Sequence, residues 1–256
     1  MTDQSLPPPH NFTEMKSTAG NFDAGHVFNQ TFSIFSRNLL PFGIVTAVAY
    51  LPSVLTFSDG SNPAVLAKAG GGGIAVGVIL TLVMNVLSQA VVLYGAFEEM
   101  RGLPVNLGES IKVGLRRFFP VLGVSICVPL LAGLAALALV FPGLMVGTML
   151  FVSVPVCVVE RLGVFKSMGR SARLTKGHRW KIFGIWIAVL VVGGIAQSFL
   201  TAMARTIGGV MLGLVISLVC GALVVAFNAI LAVVVYHDLR VAKEGVDTDQ
   251  IASVFD

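Results

Sequence analysis

Apolar stretches long enough to cross a bilayer alternate along this chain with short amphipathic ones. From Phe22 to Arg37, Val27, Phe28, Thr31, Phe32 and Phe35 share one flank, which predicts a surface helix with phenylalanines suited to a membrane interface. Asn38 to Ser58 is uncharged and, at about 1.5 Å per residue, just crosses a hydrocarbon core of about 30 Å. Asp59 to Gly73, with Asp-Gly-Ser-Asn-Pro and four consecutive glycines, predicts a loop. A second span runs from Ile74 to Phe97 and closes with Glu98, Glu99 and Arg101.

Gly102 to Arg117 repeats the amphipathic theme: Leu107, Ile111, Leu115 and Phe118 lie on one face, Lys112 and Arg116 on the other. Phe118 to Val159 then carries no charge at all. One helix of that length would measure about 63 Å, so the run must fold back, and Pro142-Gly143 is the expected place. Glu160 to Trp180 is the organising segment. As a helix from Gly163 it sets Val164, Phe165, Met168 and Ala172 on one side and Lys166, Arg170 and Arg173 roughly opposite. Spans five (Ile182 to Ala204) and six (Ile207 to Tyr236) follow, with Arg205 and Thr206 as their turn. The pattern predicts an all-α, polytopic membrane protein of six transmembrane helices with cytoplasmic amphipathic surface helices.

Three domains are expected: a disordered tail over 1–21, a membrane domain over 22–245 and a short C-terminal segment over 246–256. Arg37-Asn38-Leu39-Leu40-Pro41, Arg117-Phe118-Phe119-Pro120 and Arg179-Trp180-Lys181-Ile182 each lead into an odd-numbered span. They suggest three helix-plus-hairpin repeats, although any hairpin protein alternates basic and apolar segments.

Composition sharpens this picture. Apolar residues make up 55% and charged residues 12% of the 256, against about 25% charged in a soluble domain. A basic face on a soluble module, which nucleic-acid binding requires, cannot be built from this composition. Of the 17 Lys and Arg residues only Lys68 and Arg205 fall in the expected outer loops, so the positive-inside rule puts both termini in the cytoplasm. Cys127, Cys157 and Cys220 all sit in apolar runs, in a spacing that matches no metal site. His237 and Asp238 adjoin, but helix neighbours diverge, so no metal or cofactor is expected there.

Pro155, Glu160, Arg161 and Gly163, then Arg170-Ser171-Ala172-Arg173-Leu174-Thr175-Lys176-Gly177 with Trp180, form one block. Tyr236-His237-Asp238-Leu239-Arg240 with Lys243-Glu244-Gly245 and Asp247 form a second. Together they resemble the multi-helix membrane domain found with some bacterial glycerophosphoryl diester phosphodiesterases and its stand-alone, uncharacterised relatives. The resemblance implies a fold and a bacterial inner-membrane location. It implies no activity, and no phosphodiesterase catalytic domain accompanies these blocks.

Three sets of residues could carry function. Lys166, Arg170, Arg173, Lys176, Arg179 and Lys181 form a basic face that could hold anionic phospholipid head groups, each near such a leaflet worth about 1 kcal/mol, or could simply set topology. Asn85, Ser88, Gln89, Gln197 and Asn228 are polar within apolar spans; they line a path for a polar substrate or hydrogen-bond helix to helix. Glu160, Arg161, Arg240 and Glu244 are candidates for structural ion pairs, the last two at i,i+4. As a catalytic acid Glu160 would need a partner that the sequence does not place beside it. The first expectation is therefore a non-enzymatic membrane protein binding anionic lipid or a protein partner through the basic helix. The alternative is a small-solute or lipid transporter with a polar path through the bundle.

Overall fold

The computed structural model describes residues 22–57 and 63–244, with side chains except at 55–57, 63–74, 138 and 140. The expected tail and C-terminal segment lie outside the described residues. The described chain is all-α: α1 Ala24–Arg37, α2 Leu39–Phe57, α3 Pro63–Met100, α4 Leu107–Arg116, α5 Phe118–Ala138, α6 Val140–Met149, α7 Ser153–Val159, α8 Val164–Leu174 and α9 Arg179–Glu244. Among these residues there is no strand. Ala75–Met100, Phe118–Leu137, Phe141–Val159 and Arg179–Glu244 are long and apolar enough to cross a membrane. A fifth span results if α1 and α2, bent 85° to each other, count as one.

Short amphipathic helices meet apolar ones at single non-helical residues. Asn38 (φ −115°, ψ 27°) separates α1 from α2, and Arg117 (φ −101°, ψ 6°) separates α4 from α5. Pro41 and Pro120 each stand third in the helix that follows, where a missing N–H has no intrahelical partner to lose. Asp23 caps α1 by accepting from Gly25 N, and Asn106 caps α4 by accepting from Gly108 N and Glu109 N.

Several boundaries differ from the sequence expectation. The glycine run does not form a loop: α3 starts at Pro63 and passes through Gly70–Gly73. Proline suits the first helical position. Each helical glycine costs about 1 kcal/mol, less than an unpaired backbone group in an apolar setting. The fold-back falls at Leu139, which is extended (φ −163°, ψ 140°), and not at Pro142-Gly143. Pro142 lies in the first turn of α6, and Gly143 packs so tightly on Ala136 that a Cβ would come within 2.7 Å of its Cα. The expected fourth span is broken between Met149 and Ser153.

At about 99 Å if straight, α9 also cannot be one rod. It turns at Gly209 (φ 68°, ψ −164°), a conformation essentially restricted to glycine, and not at Arg205-Thr206. Gly193 lies against Val224, so the two arms run back side by side.

The core sits at the end of the bundle that carries the charged residues. Phe22, Val27, Ile34 and Phe42 pack there with Val92, Val156, Ile182, Tyr236 and Leu239. Val121, Val124, Cys157 and Val233 pack around Leu93 in a second cluster. Small residues let the helices approach: Tyr50 covers Gly221, Phe42 covers Gly95, and Val164 of α8 covers Gly123 of α5. Toward the opposite end the helices carry their apolar side chains outward, with Leu137 85%, Ile207 73% and Met211 77% exposed. So much contiguous apolar surface suits a hydrocarbon environment and not water.

Candidate functional site

Two arrangements gather the polar side chains. The first joins α7, α8 and the end of α9. Glu160, the residue after α7, receives both of its oxygens' hydrogen bonds from Arg170 Nε at 3.1 Å, and one oxygen also accepts from Tyr236 Oη at 3.0 Å. Arg170 pairs through its NH2 group with Glu244. Glu244 accepts from Arg240 Nε at 3.2 Å, and Arg240 Nη1 reaches Tyr236 Oη at 3.5 Å. The five side chains close a ring. Burial disfavours the Arg170 charge, but the hydrogen bonds it donates to Glu244 and Glu160 outweigh this and raise its pKa above the ordinary arginine value.

This ring changes the place of Arg170. The sequence sets it on a lipid-facing basic surface, whereas its guanidinium is engaged by two carboxylates. Arg161 joins no ion pair among the described residues. It holds a left-handed backbone (φ 56°), and its carbonyl accepts from Arg117 Nη1 at 3.4 Å.

The buried face of α8 also differs from the expectation. Ser167, Met168, Ser171 and Leu174 point inward, whereas Phe165 is 80% exposed. The cause lies in the break after α6. Ser171 Oγ donates to Met149 O at 2.9 Å, and Thr175 Oγ1 lies 3.2 Å from the same oxygen. A carbonyl released by the break thus finds hydroxyl partners on α8 and at its C-cap, which an apolar-face pattern cannot anticipate. Lys243 Nζ donates to Arg173 O at 2.7 Å, placing a cation at the C-terminal end of α8. Lys166, Arg173 and Lys176 are exposed, and Lys181 Nζ donates to Phe22 O at 2.8 Å. Arg179 and His178 each bury a nitrogen, Nε and Nδ1 respectively, without a hydrogen-bond partner among the described residues.

The second arrangement is a cavity of about 550 Å³ between α3, α5 and the second arm of α9. Thr81, Asn85 and Gln89 line it from α3, Ser125 from α5 and Asn228 from α9, among Val78, Val86, Val224 and Ala229. Asn85 and Asn228 each donate Nδ2 to a carbonyl one turn back in their own helix, Thr81 O at 2.9 Å and Val224 O at 2.8 Å. Thr81 Oγ1 and Ser125 Oγ are buried without a partner among the described residues. Among the described residues no charged side chain lines the cavity.

Of the polar residues the sequence singles out, Asn85, Gln89 and Asn228 come together here. Ser88 is buried but faces elsewhere, and Gln197 on the first arm of α9 lies apart. Thr81 and Ser125 escape sequence reasoning, since threonine and serine are common in apolar helices. Thr81 is nonetheless one turn before Asn85 on the same stripe, which is a readable signal.

Among the described residues no group of three or more His, Cys, Asp or Glu side chains is placed to hold a metal ion. Cys127, Cys157 and Cys220 are free thiols. Compared with known proteins, the chain matches no family model, no curated protein and no solved structure.

Proposed function

We propose that this chain is a non-enzymatic, six-span integral membrane protein that carries a small polar or amphipathic molecule through the cavity between α3, α5 and α9. One observation carries the reading: Asn85, Gln89 and Asn228, scattered over 144 positions of sequence, line a single cavity together with Thr81 and Ser125. Depth supports it. Asn85 stands ten residues, about 15 Å, from the start of its span at Ala75, and thirteen residues, about 20 Å, from Glu98. In a hydrocarbon core of about 30 Å that is close to the middle. Counting α2 and the two arms of α9 separately makes six spans, with α1, α4 and α8 as surface helices. The positive-inside rule then sets both termini in the cytoplasm. The matching joints at Asn38 and Arg117, each followed by proline at the third helical position, support the repeat. The resemblance to the phosphodiesterase-associated membrane domain, and with it a bacterial inner membrane, remains part of this proposal.

The test fills the cavity. Val225 lines it, and Val225→Trp occupies the space without adding charge. Wild-type protein in liposomes should raise the flux of small polar solutes, or the exchange of a labelled lipid between leaflets, above that of protein-free vesicles, and Val225→Trp should remove the increase. Wild-type vesicles no more permeable than empty ones to every solute and lipid tried would sink the reading.

A specific observation also favours a second role, binding of anionic phospholipid. The outward face of α8 combines Phe165 with Lys166 and Arg173, and the turn after it adds Lys176, next to Trp180 at 62% exposure. Aromatic and basic side chains together suit an anionic interface. Charge reversal at these three cations should strip co-purifying anionic lipid while leaving insertion intact; retained lipid would remove this role.

A further inference from the structure

We infer that the cavity takes an uncharged ligand that donates hydrogen bonds through hydroxyl groups, an inference that rests on reading the cavity as a binding site. Because Asn85 Nδ2 donates to Thr81 O and Asn228 Nδ2 to Val224 O, neither amide can be turned over. A reversed amide would set its oxygen against a carbonyl oxygen. Both amide oxygens are therefore held off their own backbone, in side chains that line the cavity. Thr81 Oγ1 and Ser125 Oγ, unpartnered among the described residues, add two hydroxyls that accept as well as donate, and Gln89 adds a third amide. The lining is thus rich in acceptors.

Charge and polarity narrow the ligand further. Among the described residues no Asp, Glu, Lys or Arg lines the cavity, so an ion would enter an apolar surround with no counter-charge from them. A hydrocarbon would leave the amides and hydroxyls unpaired. A neutral molecule with two or more hydroxyls meets both conditions. The volume of about 550 Å³ falls inside the range of about 300–1,000 Å³ usual for small-molecule sites. Such hydroxyls could belong to a free polyol or to the head group of a neutral lipid.

Equilibrium binding to the purified full-length protein distinguishes these. The probes are sorbitol and its hexamethyl ether, monoolein and its dimethyl ether, an alkyltrimethylammonium and an alkyl sulfate. The expected result is binding of sorbitol or of monoolein, with the corresponding ether about 10-fold weaker or worse. Asn85→Leu/Asn228→Leu should weaken the hydroxylated probe about 10-fold, whereas Ser88→Ala, buried away from the cavity, should match wild type. If the double variant does not fold, Thr81→Val/Ser125→Ala serves, with a smaller loss of about 3-fold or more. Ethers that bind as well as their parents, or a charged probe that binds more tightly, would overturn the ligand class and leave the cavity standing as a site. No probe binding at all, with Val225→Trp indistinguishable from wild type, would overturn the site itself. Sorbitol against monoolein decides between an aqueous and a membrane source.

Discussion

Replacing Arg170 with alanine should loosen α8 far more than the same change at its exposed neighbour Arg173. The guanidinium holds both oxygens of Glu160 at 3.1 Å and pairs with Glu244. Side-chain exposure is 23% for Arg170, 17% for Glu160 and 27% for Glu244, so solvent screens these pairs only in part. A hydrogen bond to a charged group contributes about 1.5–3 kcal/mol, and stranding a fully buried partner costs about 3–5 kcal/mol. Scaled down for the residual exposure, the loss should be about 2–3 kcal/mol. Hydrogen exchange reads this directly: amides of 164–174 should exchange roughly 30- to 150-fold faster if α8 opens locally. Arg173→Ala is the control, because the exposed side chain of Arg173 joins no ion pair among the described residues and Lys243 bonds only its carbonyl. It should change exchange by less than about twofold. Equal protection in the two variants would refute the view that the ring holds α8 to α7 and α9.

Two further changes probe turns farther along the chain. His178 has its pKa lowered by burial first, then by Lys181 and Lys243, so the folded protein prefers the neutral ring. The unfolded chain then takes up the proton first, and stability present above about pH 6.5 is lost as pH falls toward the depressed folded value. Thermal unfolding between pH 7.5 and 5 should show a decline that His178→Gln reduces; an unchanged slope would count against it. Gly209→Ala should cost about 1–3 kcal/mol, since φ 68° with ψ −164° excludes a side chain. A melting midpoint equal to wild type would mean that the arms of α9 meet at some other residue.

Hydrophobic spacing makes the helical and membrane-compatible character of this chain legible, because burying backbone in hydrocarbon leaves few alternatives to long apolar helices. The amphipathic segments at 22–37 and 102–117 appear as α1 and α4 for the same reason. Break points are less legible. Leu139 and Gly209 turn the chain where neighbouring helices meet, while Pro142 and the glycine run at 70–73 are absorbed into helices. Local propensities worth about 1 kcal/mol cannot compete with packing over whole helices.

Polarity along the chain marks Asn85, Gln89 and Asn228 as costly in lipid, and Glu160 and Glu244 as needing partners, since unpaired polar groups in apolar surroundings are expensive wherever they lie. Which groups meet is a matter of three-dimensional proximity alone. Arg170 finds Glu244 74 positions away, and Ser171 finds a carbonyl freed by a break in another helix. Residue spacing sets only the angle at which a side chain leaves its own helix. The partner depends on how helices cross, and that crossing follows from close contacts such as Gly123 with Val164 and Gly221 with Tyr50.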